Sequence, residues 1–124
     1  MLCSWDAEEY GLVGSTEWVE DYAPWLAKTA ISYINIDVAV SGPTPGLDGS
    51  PELSKLAVEV MKKVTYPYGG NSTLYDDWEA KNRFNPEMYR VGVLGSGSDF
   101  TAFVHNGVGA VRHKSQSQIV SSAN

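Results

Sequence analysis

Glu8 and Glu9 stand side by side in Ser4-Trp5-Asp6-Ala7-Glu8-Glu9-Tyr10-Gly11, close behind a short apolar start. Asp37 closes the next apolar run, Ile31-Ser32-Tyr33-Ile34-Asn35-Ile36-Asp37. Two strand-like segments therefore each deliver carboxylate at their C-terminal end. In open α/β sheets the ligand crevice lies outside that edge. Carboxylates converging there hold metal ions, activate water, or both. Adjacent glutamates divide into two roles when a turn aims them differently. One ligates a metal, and its neighbour takes the proton of a water. Burial suits a glutamate to the second role by raising its pKa. The simpler reading is that acids gather at helix N-termini because of the macrodipole, and that Asp37 is a turn residue.

A third segment with chemical potential is Gly95-Ser96-Gly97-Ser98-Asp99, between an apolar run and a helical pattern. Backbone amides at such a helix start can receive an anionic or carbonyl oxygen. It lacks the lysine of a phosphate-binding P-loop, and Phe100 stands where a dinucleotide fingerprint needs glycine. A tight turn with Ser98 or Asp99 as helix cap explains it equally well. His105 and His113 are the only histidines. Neither has ligand spacing to the acids, and neither is expected to bind zinc.

The elements that must position these residues alternate. Strands are expected at residues 2–6, 30–36, 90–94 and 108–112. A helix is expected over 14–28, with Trp18, Tyr22, Trp25 and Leu26 on one apolar face and Pro24 breaking or kinking it. Residues 41–50 read as a glycine- and proline-rich loop. Ser50-Pro51-Glu52 then opens a helix as N-cap, proline at the first position and acid in the first turn. Leu53, Leu56, Ala57, Val60 and Met61 are expected to form its buried stripe. Residues 65–90 read as a long surface excursion with one helical turn near Leu74–Trp78. A short helix over 99–106 completes the pattern. Strand–helix alternation implies an α/β fold, a partial and mostly parallel sheet with flanking helices.

The 124 residues bound this to one modest domain. Apolar content of 43% with 19% charge describes a globular chain. A net charge of −6 and no basic stripe argue against nucleic acid as a partner. The single Cys3 excludes an internal disulfide and a cysteine-built zinc site. No apolar run is long enough to cross a membrane, and no targeting segment is present, so direct membrane contact is not expected. Asn71-Ser72-Thr73 fits a glycosylation sequon, a tripeptide that also arises often by chance.

The stretch from Ser4 to Trp18 resembles the signature of the glutamate carboxypeptidase II group of co-catalytic zinc peptidases, which includes the transferrin receptors. Tyr33-Ile34-Asn35-Ile36-Asp37 resembles its second motif, at the family's interval from Glu9. Leu94-Gly95-Ser96-Gly97-Ser98-Asp99-Phe100 resembles its third. The resemblance covers residues 1–112, a partial peptidase domain. Residues 113–124 fall outside it and are expected to be a disordered tail. Both ends of the chain read as cut, so it is expected to be a central piece of a longer protein.

The resemblance implies roles. Glu8 matches the general acid/base acting on a metal-bound water. Glu9 matches a ligand of one zinc ion and Asp37 a ligand of the other, in a site that holds two when intact. Ser96, Gly97, Ser98 and Asp99 match a loop that contacts substrate, and Arg112 matches one of a pair of substrate-binding arginines. Three of the family's five metal ligands have no match. Ser98 stands where glutamate-specific members have asparagine, and Leu47 where they have arginine, so a broader exopeptidase is implied. The parent is expected to hydrolyse peptides, as a homodimer that is membrane-anchored, vacuolar or secreted. With its incomplete ligand set the chain alone is expected to be inactive. The other reading is a truncated or transferrin-receptor-like protein with only a binding or structural role.

Overall fold

The computed structural model describes residues 1–82 and 91–116. In chain order its elements are α1 (Val13–Thr29), β1 (Tyr33–Asn35), β2 (Thr44–Gly49), α2 (Pro51–Met61), α3 (Leu74–Asn82), α4 (Phe100–His105) and β3 (Ala110–Gln116). Helices and strands do not strictly alternate, but a three-stranded sheet flanked by helices makes this a partial α/β domain. The sheet has three strands in the order β1-β3-β2. β1 pairs with β3 in parallel, placing Tyr33 opposite Ala110 and Asn35 opposite Arg112. β2 pairs with β3 antiparallel, placing Leu47 opposite His113 and Asp48 opposite Arg112. The sheet is therefore mixed.

β2 occupies the segment whose composition reads as a loop. Thr44-Pro45-Gly46-Leu47-Asp48-Gly49 is poor in strand formers, but Pro45, Leu47 and Gly49 alternate as buried positions. Burial against a neighbouring strand outweighs intrinsic preference here. Proline is tolerated because β2 is an edge strand. Conversely, residues 2–6 form no strand. Of the run at 90–94, Arg90 lies outside the described residues, and the rest contributes only an isolated bridge between Gly92 and Asp48. β3 continues past residue 112 to Gln116, and residues 117–124, the rest of the expected tail, lie outside the described residues.

Each face of the sheet carries its own core. On one side Val19 and Leu26 of α1 pack with Ala102 and Phe103 of α4 and with Val108, while Trp5, Trp18 and Tyr33 close the cluster. On the other, Leu47 meets Met61 of α2 and Trp78 of α3, with Val111 against them. α1 runs through Pro24 without interruption. Its buried line is Ser15, Val19 and Leu26. Tyr22 and Trp25 stay 48% and 47% exposed, so the aromatic residues flank the core rather than fill it. α3 is longer than one turn because Thr73 and Asp76 bond reciprocally at its start. The Thr73 amide and hydroxyl both donate to the Asp76 carboxylate, and the Asp76 amide donates to Thr73 Oγ1. Ser50 precedes α2 but does not cap it by its side chain. Its hydroxyl accepts from the Ala110 amide at 2.9 Å, tying α2 to β3. Asn71 of the sequon is exposed in a turn.

Close approach fixes the start of α1. The Gly14 amide donates to the Asp6 carbonyl at 3.1 Å. A Cβ at position 14 would lie 2.7 Å from that same oxygen. Gly14→Ala is expected to destabilise the fold by about 1–3 kcal/mol, read as a lowered denaturation midpoint, because backbone must shift to admit a methyl group. A midpoint equal to wild type would show that the turn yields freely.

The α2 side of the sheet is incompletely covered. Ile34, Leu56 and Val60 are 69%, 62% and 50% exposed along a groove of about 290 Å³ that Leu53, Met61 and Val111 also line. Apolar patches of this kind favour association. These 124 residues on their own are expected to bind a hydrophobic dye and to unfold with low cooperativity. A sharp two-state melt of a monomer without dye binding would contradict this.

Candidate active site

Residues 6–14 form a self-bonded turn that aims the two glutamates. The Gly11 and Leu12 amides donate to the Glu8 carbonyl at 3.1 and 2.9 Å, and the Val13 amide donates to that of Ala7 at 3.2 Å. The Asp6 carboxylate accepts from the Ala7 amide at 2.8 Å. The turn is held to the domain by Trp5. Its indole N–H donates to the Tyr33 hydroxyl at 3.0 Å. Its ring lies 5.3 Å from Trp18 and 5.9 Å from Phe103. Tyr33 in turn stacks on Phe103 at 4.0 Å. One aromatic cluster thus joins the turn carrying Glu8 and Glu9, the strand leading to Asp37, and α4 behind the glycine-rich loop.

Backbone strain marks two of the candidate acids. Among the described residues, non-glycine positive φ angles occur at Ala7 (55°), Leu12 (61°) and Val38 (43°). Ala7 precedes Glu8, and Val38 follows Asp37. A β-branched residue in that region is a true outlier. Such strain persists only where surrounding structure holds it, and it concentrates at functional sites.

The electrostatics identify what surrounds Glu8. Burial pushes its carboxyl above the usual carboxylate range, and the charges of Glu9, Asp37 and Asp99 push it the same way, while Arg112 opposes them. Beside its neighbour Glu9, three segments distant in sequence therefore bring charge to bear on one half-buried carboxylate. Of the expected site residues, Glu9, Ser96 and Gly97 are exposed, whereas Glu8, Asp37, Asp99 and Arg112 are half-buried. Ser98 is fully buried, with 0% exposure. Asn35 donates to its hydroxyl at 3.0 Å. Asp99 begins α4 without capping it by its side chain. Asp99 Oδ1 and Arg112 Nε are both buried without a hydrogen-bond partner. The Arg112 guanidinium lies 5.9 Å from the Phe100 ring. Leu47, at 7% exposure, is a core residue.

Among the described residues no three or more His, Cys, Asp and Glu side chains are grouped to hold a metal ion. His105 sits exposed on α4 and His113 exposed on the groove side of β3. The carboxylates of Glu9 and Asp37 are suitable oxygen donors, but alone they are not a closed zinc set.

Composition and spacing do not reveal Trp5, Tyr33 and Phe103, which join the site's segments. Asn35 had a signal: a single amide between Ile34 and Ile36 in a strand otherwise apolar.

Comparison with known proteins follows the same residues. The profile of peptidase family M28 matches residues 1–119. A probable glutamate carboxypeptidase of Arthroderma benhamiae is 61% identical over 113 residues, covering 90% of this chain and 15% of that protein. A probable glutamate carboxypeptidase of Arabidopsis thaliana is 42% identical, covering 90% and 16%. An aminopeptidase of Mus musculus is 37% identical, covering 85% and 15%. The chain spans about a sixth or less of the length of these relatives. With nearly its whole length matched, the chain belongs to peptidase family M28.

Proposed function

We propose that these residues are the catalytic-acid segment of a zinc-dependent exopeptidase that hydrolyses peptide bonds, with Glu8 as general acid/base. The observation that carries this reading is the environment of Glu8: half-buried, surrounded by Glu9, Asp37 and Asp99, and raised in pKa by burial first and by those charges second. A base with raised pKa accepts a proton more readily and can return it in the next step. Relatives bear the names of both carboxypeptidases and aminopeptidases, which act at opposite chain ends. The terminal end attacked by this protein therefore stays open, while the exopeptidase class is common to both.

In this reading Glu8 takes a proton from water as its oxygen bonds to the scissile carbonyl carbon. The carbonyl π electrons move to oxygen. When the C–N bond breaks, Glu8 gives the proton to the departing amine. Glu9 and Asp37 would be among the residues holding zinc in a complete site, where it would supply Lewis-acid stabilisation of the developing charge. Ser96, Gly97 and Asp99 line the substrate side, and Arg112 sits where an anionic group of the substrate would be paired. Among the described residues there is no closed ligand group, and the chain alone is expected to bind zinc weakly and hydrolyse peptides negligibly. That outcome would match the non-catalytic alternative for the isolated segment but not for the full-length protein.

The test is metal analysis beside peptide hydrolysis in the full-length protein. Glu8→Gln is expected to abolish turnover with zinc content nearly unchanged, because the base is lost and the ligands remain. Glu9→Ala and Asp37→Ala are expected to lower bound zinc. Near-normal turnover by Glu8→Gln would remove Glu8 from the role of base.

A second expectation concerns pH. The Glu8 pKa is raised, so the base is lost by protonation as pH falls through that raised value. Arg112 lowers the Glu8 pKa. Arg112→Gln should therefore move the acid limb of the kcat/KM profile to higher pH. A limb that stays in place would show that another group sets it.

A further inference from the structure

The strand that leads to Asp37 and the glycine-rich loop are tied by one buried polar contact. Asn35 is 2% exposed and Ser98 is 0% exposed. The Asn35 amide nitrogen donates to Ser98 Oγ at 3.0 Å, across 63 positions of sequence. Asn35 is the last residue of β1, two before Asp37. Ser98 lies between Gly97, whose φ of 108° only glycine adopts easily, and Asp99 at the start of α4. The Ser98 carbonyl accepts from the Thr101 amide at 3.0 Å and from the Thr101 hydroxyl at 2.8 Å. Ser98 is thus held on both its backbone and its side chain, while Ser96 and Gly97 stay exposed beside it.

Two apolar side chains would fill this space without the cost of burying polar atoms. A buried polar pair instead defines one arrangement, because any displacement leaves an amide or hydroxyl unpaired away from water. The loop needs such a constraint. Glycines at 95 and 97 give its tip little intrinsic order.

We propose that Asn35 is a positioning residue of the peptidase site, which through its hydrogen bond to buried Ser98 fixes the Ser96–Gly97 tip and Asp99 relative to Asp37. This rests on the function proposed above. In this arrangement Ser98 serves the loop from within and does not touch substrate. The substrate-facing groups are then Ser96, the backbone of Gly97, and Asp99. Loosening the bond moves a binding surface, while the turn carrying Glu8 keeps its own tie through Trp5 to Tyr33 and Phe103. The effect falls on KM rather than kcat.

The experiment uses the full-length protein and measures kcat, KM, zinc content and denaturation midpoint for Ser98→Ala, Asn35→Ala, the double variant, and the exchanged pair Asn35→Ser with Ser98→Asn. Each single variant is expected to raise KM about tenfold with kcat within about twofold and zinc unchanged. The double variant should be no worse than the worse single one, because both remove the same contact. The exchanged pair, which restores a hydrogen bond with its partners reversed, should recover KM to within about threefold. Ser98→Ala removes one oxygen from a packed site and carries the test alone if Asn35→Ala does not fold. A lowered midpoint with KM within twofold of wild type would reduce the pair to a structural contact and overturn the proposal. Additive effects of the two single variants would overturn it as well. Glu8→Gln run alongside separates the two readings. If it stays active, the proposed chemistry fails whatever the KM values. If it is inactive while Ser98→Ala binds normally, only the positioning role fails.

Discussion

The stacking of Tyr33 on Phe103, with Trp5 bonded to the Tyr33 hydroxyl, is the contact on which the rest of the site depends. It joins three segments that have no local reason to meet. The turn with Glu8 and Glu9 reaches it through Trp5, the Asp37 strand through Tyr33, and the glycine-rich loop through α4. Aromatic rings contribute large buried area at low entropic cost, and stacked pairs add about 0.5–1.5 kcal/mol beyond it. The indole and phenol groups also satisfy each other, so the junction is both apolar and polar-paired. Burial lifts the Tyr33 hydroxyl pKa, and the bond from Trp5 offsets part of that rise.

That junction gathers like charges. Glu9, Asp37 and Asp99 each act against the charge of an ionised Glu8, and Arg112 opposes them there. Such crowding costs stability and is characteristic of catalytic sites. The strained backbone at Ala7 and Val38 is a second cost carried at the same place. Both are intelligible where a cation of higher charge completes the site, since a metal ion inverts the local balance of charge.

The sheet is covered unevenly. Among the described residues β1 has one parallel neighbour and no partner on its other edge. Ile34 on that strand and Ile36 just past its end are 69% and 76% exposed. Parallel strands are ordinarily covered on both faces. The chain spans about a sixth or less of its relatives' length. The α1–α4 face is closed by its own aromatic cluster, while the α2 face is only partly filled. The candidate site therefore sits against the better-packed half of the molecule.

How much was legible in the sequence differs from residue to residue. The chain by itself determined the motifs around Glu8, Asp37 and Gly95–Asp99, because local turn chemistry and residue type carry them. It also determined α1 and α2, whose apolar spacing and Pro51 start are local signals. Among the described residues it did not determine β2, since Thr44–Gly49 becomes a strand only when β3 supplies hydrogen bonds and Leu47 finds Met61 and Trp78. Nor did it fix the use of Ser50, whose hydroxyl turns from the helix it precedes to the Ala110 amide. Ser98 is the sharpest case. Its place in a glycine-rich loop reads as a helix cap or a substrate contact, yet a partner 63 positions away bonds its buried hydroxyl. Short-range preference settles which residues can turn, cap or coil. Which side chains are buried, paired or presented is decided by contacts between segments distant in sequence, and those exist only once the fold has formed.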